Sequence, residues 1–403
     1  MKSISIFTNN LACDTLALYF SRLEKYFKLN EWVVKSNFES NWAIIAACGV
    51  TNDKFDNIKG LLDDLKKEGV PDKHILIVGC LPKTHEDDLR SVFSGNVISL
   101  GKEHIIDEML SMKIPFSDVE GTNVFRAPSQ VDVNSEKGLY NIKIAEGCYQ
   151  ECTFCVTQKA HGKLRSESIE SIEKDFRNAI SNGYKNINLI GTDTFAYGSD
   201  CNTNVILLMK YLLEIDESVI FYLGNLHAKW LIEYSDELLE LCKQGHVKCL
   251  HMPIQHVNDH ILKAMGRPIL FEKIYEKIQK FKRECSDIYL GTDIIVGFPG
   301  ESDEIFNELK SFFSQDICFD FVNCLLYNDM KGAAAFNFPD KVCASTKLER
   351  HNELNTILSN RSDSNFYFKD NIIPAERLRI IRELYKCNEK MYFFINNSYA
   401  ELT

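Results

Sequence analysis

The chain has 403 residues, of which 45% are hydrophobic, and its formal net charge is -11. This is the composition of an ordinary globular protein with room for two or three domains. The acidic balance argues against a large nucleic-acid-binding surface.

The sequence carries no visible targeting or membrane signal. Its N-terminus lacks the charged and then apolar pattern of a signal peptide, and no apolar stretch approaches the length of a membrane span. We therefore expect a cytoplasmic protein that does not bind a membrane. In that reducing compartment, the 14 cysteines are expected to be cluster ligands or small buried hydrophobic residues rather than disulfides.

The first predicted domain covers residues 1–125. Short apolar runs alternate there with amphipathic segments, which indicates a parallel sheet covered by helices on both faces. The predicted strands are 4–7, 42–47, 75–78 and 97–100, and the predicted helices are 15–27, 55–68 and 85–93. Together they predict a small doubly wound α/β domain.

A polar, aperiodic linker is predicted at 126–139, and a second alternating series follows at 140–345. Its predicted strands are 142–145, 187–190, 219–223, 249–254, 288–296 and 321–327, and its predicted helices are 168–180, 204–215, 235–244, 271–285 and 303–313. These βα units predict a partial (βα)6 barrel, in which chemistry gathers at the C-terminal strand ends. Residues 346–403 are predicted to form a short extension, helical at 347–360 and 375–386.

Three cysteines directly follow the first strand of the second series. They are Cys148, Cys152 and Cys155, spaced Cys-x-x-x-Cys-x-x-Cys. Soft thiolates select iron–sulfur clusters, zinc or Cu(I), and a structural zinc ion needs four ligands. Three cysteines on a cubane [4Fe–4S] cluster instead leave one iron open for another molecule. A zinc knuckle and three unrelated core thiols are the alternatives.

A second group of cysteines lies in the first domain. Cys13, Cys48 and Cys80 each follow a predicted strand, so the three side chains are expected to meet at one edge of the sheet. The small neighbours Gly49 and Gly79 are expected to leave room for a bulky cluster. The alternative is three separate buried cysteines.

Phe154 stands directly before Cys155, the last cysteine of the group Cys148, Cys152 and Cys155. The pattern Cys-x-x-x-Cys-x-aromatic-Cys resembles the signature of the radical S-adenosylmethionine (SAM) enzymes. With both cysteine groups in this order, the chain resembles the radical SAM methylthiotransferases over about residues 1–345. Further stretches similar to that family are 162–166, 197–200, 253–256, 265–268 and 295–301.

Gln255-His256 stands where the tRNA-adenosine branch of that family has Gln-Ser-Gly. In this respect the chain looks more like the branch that methylthiolates the β-carbon of an aspartate in a small-subunit ribosomal protein. The resemblance implies SAM and two [4Fe–4S] clusters as cofactors, with a sulfide or persulfide on the auxiliary cluster. It also implies a peptide or protein substrate and an electron donor such as flavodoxin or ferredoxin.

The resemblance also implies roles for individual residues. The catalytic ligands of the SAM-binding cluster would be Cys148, Cys152 and Cys155, and the ligands of the auxiliary cluster would be Cys13, Cys48 and Cys80. The other implied SAM contacts are Phe154, Arg165, Gly191, Thr192, Asp193, Gln255, His256, Val296 and Gly297.

Some positions depart from the family pattern. Gln158 replaces a proline, His161 and Glu167 replace arginines, and the asparagine expected shortly after Cys13 is missing. The family ends in a small β-barrel called a TRAM domain, whereas the tail from residue 346 is expected to be helical. We therefore expect a different mode of substrate docking and a substrate such as a small biosynthetic precursor peptide.

Three other functions stay open on the sequence. They are methylthiolation of a tRNA adenosine, radical SAM sulfur insertion without the methyl group, and a non-catalytic role as an iron–sulfur protein.

Overall fold

The structure, a computed structural model, describes residues 2–9, 13–119, 139–315, 318–359, 391–395 and 398–402. The predicted helix at 375–386 lies outside the described residues, as does the predicted linker at 126–139 except for its last residue. No helix in the described part of the chain is long and apolar enough to cross a membrane.

The first sheet has five parallel strands in the order β2-β1-β3-β4-β5. The strands are β1 (Ser3–Thr8), β2 (Val33–Lys35), β3 (Trp42–Ala47), β4 (Ile75–Gly79) and β5 (Asn96–Ser99). The helices around it are α1 (Asp14–Leu29), α2 (Asn52–Lys67), α3 (Leu81–Thr84), α4 (Glu86–Val92) and α5 (His104–Leu110). The strand order reverses between β1 and β3, which opens a crevice at their carboxyl ends.

Alternate residues of the central strand β3 enter two separate cores. Ile44 packs on one face of the sheet with Leu23 and Phe27 of α1. Ile45 packs on the other face with Leu61 of α2. Both faces of the strand are therefore buried, which explains why its sequence is continuously apolar.

The second sheet has six parallel strands in the order β6-β9-β10-β11-β12-β13. The strands are β6 (Leu139–Lys143), β9 (Asn186–Ile190), β10 (Ile220–Leu223), β11 (Val247–His251), β12 (Tyr289–Val296) and β13 (Phe321–Leu326). Between β6 and β9, the short strands β7 (Ala145–Glu146) and β8 (Arg165–Ser166) form an antiparallel pair. Within the described residues the sheet ends at β6 on one side and at β13 on the other.

The helices that accompany this second sheet mostly cover its outer face. They are α6 (Thr157–His161), α7 (Ile169–Ser181), α8 (Val205–Ile215), α9 (Ala228–Glu233), α10 (Ser235–Lys243), α11 (Asp259–Ala264), α12 (Phe271–Glu284), α13 (Asp303–Phe313) and α14 (Ala344–Ser359). Near the end of the chain, β14 (Met391–Ile395) and β15 (Ser398–Leu402) form an antiparallel hairpin.

The predicted fold class is confirmed, because both sheets are parallel and their strands alternate with helices. Three elements of the first sheet's layer, β2, α3 and α5, were not predicted, and each has seven residues or fewer. The predicted helix at 347–360 corresponds to α14, but the hairpin β14–β15 was not foreseen in a tail expected to be helical. The domain boundaries stay a prediction.

Polar contacts join the two sheets' layers. Lys83 Nζ, at the end of the first sheet, donates to the carbonyl oxygen of Ala160 in α6 at 3.1 Å. Asn52 donates its backbone N–H to Asn328 Oδ1 at 3.1 Å and its side-chain amide to the carbonyl oxygen of Asp329 at 3.2 Å. The layer of the first sheet therefore contacts the layer of the second sheet at two places: in α6, which follows β6, and just after β13.

A buried ion pair anchors α14 to the turn after β12. Arg350 Nη1 donates to Glu301 Oε1 at 2.8 Å, and the Glu301 side chain is 0% exposed. Glu301 Oε1 also accepts the backbone N–H of Gly297 at 3.0 Å. Two charges taken out of water depend on each other, because either one alone would be buried without compensation.

Replacing Arg350 by alanine is expected to lower the free energy of unfolding by about 3–5 kcal/mol, because the Glu301 carboxylate would stay buried without its partner. Urea unfolding followed by circular dichroism measures the loss. Arg177→Ala is the matched control, since Arg177 forms an exposed pair with Glu173 at 2.6 Å and a much smaller loss is expected. Equal losses in the two variants would contradict this interpretation of the buried pair.

Candidate active site

Cys148, Cys152 and Cys155 lie on one loop, residues 147–164, here called the barrel cysteine loop. The strand pair β7–β8 closes its base, and the backbone N–H of Cys148 donates to the carbonyl oxygen of Gly162 at 3.2 Å. Gly147 has φ +81°, and a Cβ there would lie 2.1 Å from the carbonyl oxygen of Lys163. Glycine is required where the loop's two ends meet.

The far side of the loop is fixed to the opposite side of the barrel. Thr153 donates its backbone N–H to the carbonyl oxygen of Met265 at 3.1 Å and its hydroxyl to that of Ala264 at 2.8 Å. The neighbouring Gly266 has φ +76°, and a Cβ there would lie 2.5 Å from the carbonyl oxygen of Glu151. The loop therefore spans the barrel mouth from β6 to the segment after α11.

Phe154 points into an apolar cluster at the barrel mouth. Its ring packs with Ile295 and Phe298, and the Arg267 guanidinium lies 5.6 Å from the ring centroid. An apolar surface with a cation beside it, next to the thiols, suits a flat aromatic ligand.

Burial is the largest cause that raises the pKa of the Cys148 thiol to about 12. A hydrogen bond from the Gln150 backbone N–H acts in the opposite direction. The nearby Asp193, Cys155 and Cys152 raise the pKa further. The three sulfurs therefore act on one another electrostatically. Thiols that resist ionisation together are converted to thiolates when a metal cation binds them.

Asp193, which follows β9, binds a side chain of the barrel cysteine loop. It is 2% exposed, accepts a hydrogen bond from Trp230 Nε1 at 3.0 Å and accepts another from Gln150 Nε2 at 2.9 Å. Burial raises its pKa, and these two hydrogen bonds act in the opposite direction. Its carboxylate is thus occupied by protein donors, and its position fixes Gln150 of the loop.

The other residues expected to contact SAM differ in exposure. Gln255 has φ +72°, and its side-chain Oε1 is buried without a hydrogen-bond partner in the described protein. His256 is 0% exposed, and its Nε2 lies 3.3 Å from Glu301 Oε2. Val296 is also fully buried, whereas Arg165 is exposed and lies 3.7 Å from Glu146.

Gly297 follows β12 at the same end of the barrel. It has φ +76°, and a Cβ there would lie 2.4 Å from Cγ of Lys347. The α14 side chain therefore occupies the space beside Gly297. Gly191 and Thr192 follow β9 in the loop that leads to Asp193.

Among the other buried polar atoms that lack a partner in the described protein, two belong to residues beside Phe154 and Asp193. They are His227 Nε2 and Arg267 Nε. His227 Nδ1 accepts the Lys229 backbone N–H at 3.2 Å, so its Nε2 carries the hydrogen. Burial, with the charges of Arg267 and Lys229, lowers the His227 pKa to about 3, which keeps the ring neutral. Each unpaired buried group costs about 1–3 kcal/mol, and a bound polar ligand would remove that cost.

Cys13, Cys48 and Cys80, here called the N-terminal cysteine site, lie at the carboxyl edge of the first sheet. Burial raises the pKa of Cys80 well above its usual range, and the thiols of Cys48 and Cys13 raise it further. The three sulfurs therefore share one electrostatic environment, as their predicted placement at one sheet edge requires.

Asn9 fixes Cys48 and was not found from the sequence. Its Oδ1 accepts the Cys48 backbone N–H at 2.7 Å, and its Nδ2 donates to the Cys48 carbonyl oxygen at 3.1 Å. Asn9 precedes Cys13, whereas the family pattern led us to expect an asparagine shortly after Cys13.

The glycines beside these cysteines have a different role from the one predicted. A Cβ on Gly49 would lie 2.0 Å from Thr84 Oγ1, and one on Gly79 would lie 2.8 Å from the carbonyl oxygen of Ala47. Protein atoms already fill that space. The glycines allow the cysteine-bearing turns to approach one another rather than leave room for a cluster.

The donor sets fit iron–sulfur clusters better than a single ion. In the described residues, no three His, Cys, Asp or Glu side chains are arranged to hold one metal ion. Zinc needs its sulfur ligands within about 2.3 Å of one point, whereas each cysteine of a four-iron cluster binds a different iron. Three soft thiols at each site are the donors that such clusters take.

The interior of the barrel is polar, which the strand predictions did not reveal. His251 Nε2 lies 2.9 Å from Asp293 Oδ1, which also accepts from Asn323 Nδ2 at 2.8 Å. Asn188 donates to Asn141 Oδ1 at 3.0 Å. The next residue of β12, Ile294, belongs to the helix-covered core, so these polar side chains line the inner face. Barrels of this kind are usually filled by Val, Ile and Leu.

The sequence model of the Radical SAM superfamily matches residues 142–313. Ribosomal protein uS12 methylthiotransferase RimO of Clostridium novyi is 32% identical and covers 82% of this chain and 76% of its own. RimO of Protochlamydia amoebophila is 31% identical and covers 78% and 68%. A probable threonylcarbamoyladenosine tRNA methylthiotransferase of Pyrococcus horikoshii is 32% identical and covers 75% and 72%.

Solved structures share the fold. The radical SAM methyltransferase TsrM from Kitasatospora setae, with cobalamin and a [4Fe–4S] cluster bound, has a TM-score of 0.54 at 12% identity and covers 81% of this chain and 75% of its own. The cobalamin-dependent SAM radical enzyme OxsB has a TM-score of 0.52 at 13% identity and covers 100% and 64%.

Fold, cysteine loop and family match together define a radical SAM enzyme, whose cofactors are SAM and [4Fe–4S] clusters. Within that class, the chain belongs to the radical SAM methylthiotransferases. The predicted resemblance, including that to the ribosomal-protein branch, is confirmed.

Gly266→Ala is expected to reduce the iron held by the barrel cysteine loop, because the new Cβ would push against the backbone at Glu151. Iron analysis and visible absorption after anaerobic reconstitution measure the loss. Gly245→Ala is the matched control: Gly245 has φ +83° but nothing within 4 Å of the Cβ position. Both variants bear a backbone strain of about 1–2 kcal/mol, so equal iron contents would refute a specific effect on the loop.

Proposed function

We propose that this methylthiotransferase adds a methylthio group to an unactivated carbon of a peptide or protein, at a side-chain β-carbon. The observation that carries the proposal is the pair of cysteine groups on facing sheet edges. Cys80 Sγ lies 3.2 Å from His161 Nε2, and His161 is the last residue of α6, which lies within the barrel cysteine loop. A carbon-activating site and a sulfur-presenting site would thus open to one cavity.

In this proposal the barrel cysteine loop holds the SAM-binding cluster, and the N-terminal cysteine site holds the auxiliary cluster with its sulfide or persulfide. When bound, the first cluster with SAM supplies the one-electron chemistry that activates a C–H bond, and the second supplies sulfur. The domains would be residues 1–125 and 140–345, with 346–403 as an extension. An external donor such as flavodoxin or ferredoxin would deliver electrons, and the cytoplasm would keep the thiols reduced.

The protein's own residues would position SAM. Phe154 and the backbone at Gly297 would flank its adenine, and Gly191 and Thr192 would approach its methionine part. Gln255 Oε1 and His227 Nε2 would gain the hydrogen-bond partners that the described protein does not provide. Arg165 and Val296 are proposed at the rim and floor of the same pocket.

Two buried residues of the proposed SAM set would act through others. Asp193 would orient the loop through Gln150, and His256 would support the turn that carries Gly297 through Glu301. Residues of this kind orient the groups that bind the cofactor but do not contact the cofactor themselves.

The acidic net charge of -11 and the polar barrel interior support a peptide substrate. Asp293, Asn323 and Asn188 offer hydrogen-bonding groups that suit amide and carboxylate groups of a peptide side chain. Methylthiolation of tRNA is the second candidate, favoured by the similarity to the probable tRNA methylthiotransferase.

Replacing all three cysteines of the barrel cysteine loop by alanine is expected to abolish reductive SAM cleavage. Replacing all three of the N-terminal cysteine site is expected to keep 5′-deoxyadenosine formation but abolish sulfur transfer. Cys201→Ala, at an exposed cysteine outside both sites, is the control. Chromatography measures 5′-deoxyadenosine, and iron analysis measures the cluster content of each variant. SAM cleavage that persists without the loop cysteines would contradict the assignment of the SAM-binding cluster to this loop.

The substrate class is tested with two probes, recombinant ribosomal protein uS12 and unmodified tRNA. Mass spectrometry is expected to detect one added methylthio group on the protein or on a short peptide encoded beside the enzyme. Binding of tRNA is expected to be weak. Tight tRNA binding that falls steeply with salt, together with a modified nucleoside, would favour the second candidate.

A further inference from the structure

His161 connects the two cysteine sites. Its Nε2 lies 3.2 Å from Cys80 Sγ, and its Nδ1 lies 3.3 Å from Glu146 Oε1. His161 is 8% exposed and Cys80 is 5% exposed, so their contact is shielded from water. A buried side chain of the second sheet's layer thus touches a sulfur of the first.

Glu146 holds the histidine ring in this orientation. It lies in β7, paired with Arg165 of β8, and its carboxylate is 3.5 Å from Lys143 Nζ. Arg165 Nη2 lies 3.7 Å from the same carboxylate, so two cations flank it. The ionised carboxylate can only accept, so Nδ1 donates to it and Nε2 faces the sulfur.

His161 is also a departure from the family pattern, since an arginine is expected at this position. The contact with Cys80 is therefore a property of this chain's own sequence. Nothing in the proposed SAM site uses the residue.

We propose that His161, positioned by Glu146, donates a hydrogen bond to the sulfur of Cys80 when this cysteine ligates the auxiliary cluster, and so raises that cluster's reduction potential. The inference rests on the proposed function, which assigns Cys80 to the auxiliary cluster. His161 is a positioning and tuning residue, because it acts through the ligand.

The physical reason lies in the charge of the sulfur. A cysteine bound to iron has lost its proton and can only accept, as can the Glu146 carboxylate. The ring between these two acceptors therefore carries hydrogens on both nitrogens, and the contact at 3.2 Å becomes Nε2–H to sulfur. The positive end of that dipole stabilises the electron that the cluster gains on reduction. Hydrogen bonds to the sulfurs are among the factors that set iron–sulfur potentials.

The experiment isolates the auxiliary cluster. The three cysteines of the barrel cysteine loop are replaced by alanine, the protein is reconstituted anaerobically, and the cluster's midpoint potential is measured by a redox titration followed by electron paramagnetic resonance. His161→Phe removes the donor and is expected to shift the midpoint to a more negative potential. His161→Gln keeps an N–H donor and is expected to restore most of the parent value.

Two further variants complete the test. Glu146→Gln is expected to give an intermediate midpoint, because the ring would lose its charged acceptor. His85→Phe is the matched control: His85 is a buried histidine of the first sheet's layer that contacts Thr84 Oγ1 at 3.0 Å instead of a cysteine. It is expected to leave the midpoint unchanged.

Equal midpoints for the parent, His161→Phe and His161→Gln proteins would overturn the inference while leaving the proposed function standing. Strong nitrogen hyperfine coupling that disappears in His161→Phe would also overturn it, since it would make His161 a direct iron ligand. Failure of the parent to bind any cluster once the loop cysteines are gone would overturn the proposed function, and this inference with it.

Discussion

Parallel strands end at a common sheet edge, and this constraint governs where the cysteines of this protein can lie. In the first sheet, the strand order reverses between β1 and β3, and Cys13 and Cys48 follow those two strands at the crevice. In the second sheet, β6 carries the barrel cysteine loop at the same kind of edge. Polar contacts between the layers, such as Lys83 with Ala160, then bring the two edges together.

This arrangement buries thiols and polar atoms that the protein's own residues do not fully satisfy. Clustered thiols with raised pKa values and unpaired polar atoms such as Gln255 Oε1 are costly in a closed fold. Clusters and SAM convert these costs into binding energy. Stability and cofactor content are therefore linked in this enzyme.

Much of the fold could be predicted from the sequence, because strand periodicity is a local signal. The placement of Cys13, Cys48 and Cys80 at one sheet edge followed from the strand predictions, and their role as ligands stays a prediction. What escaped is non-local. Asn9 and His161 matter through contacts with Cys48 and Cys80, which lie far away in sequence. The polar barrel interior escaped because alternation along a strand separates its two faces but does not say which one points inward. Gly49 and Gly79 were located correctly, but their role was misjudged, since a small residue can mean either empty space or close packing.

The closure of the barrel cysteine loop by β7 and β8 also bears on how the enzyme assembles. That loop brings its three thiols together through short-range pairing, which costs little chain entropy. The N-terminal cysteine site instead needs β1, β3 and β4 to pair across long stretches of chain, a slow process in parallel sheets. We therefore expect the three thiols of the barrel cysteine loop to come near one another earlier in folding than those of the N-terminal cysteine site, although the latter precede them along the chain.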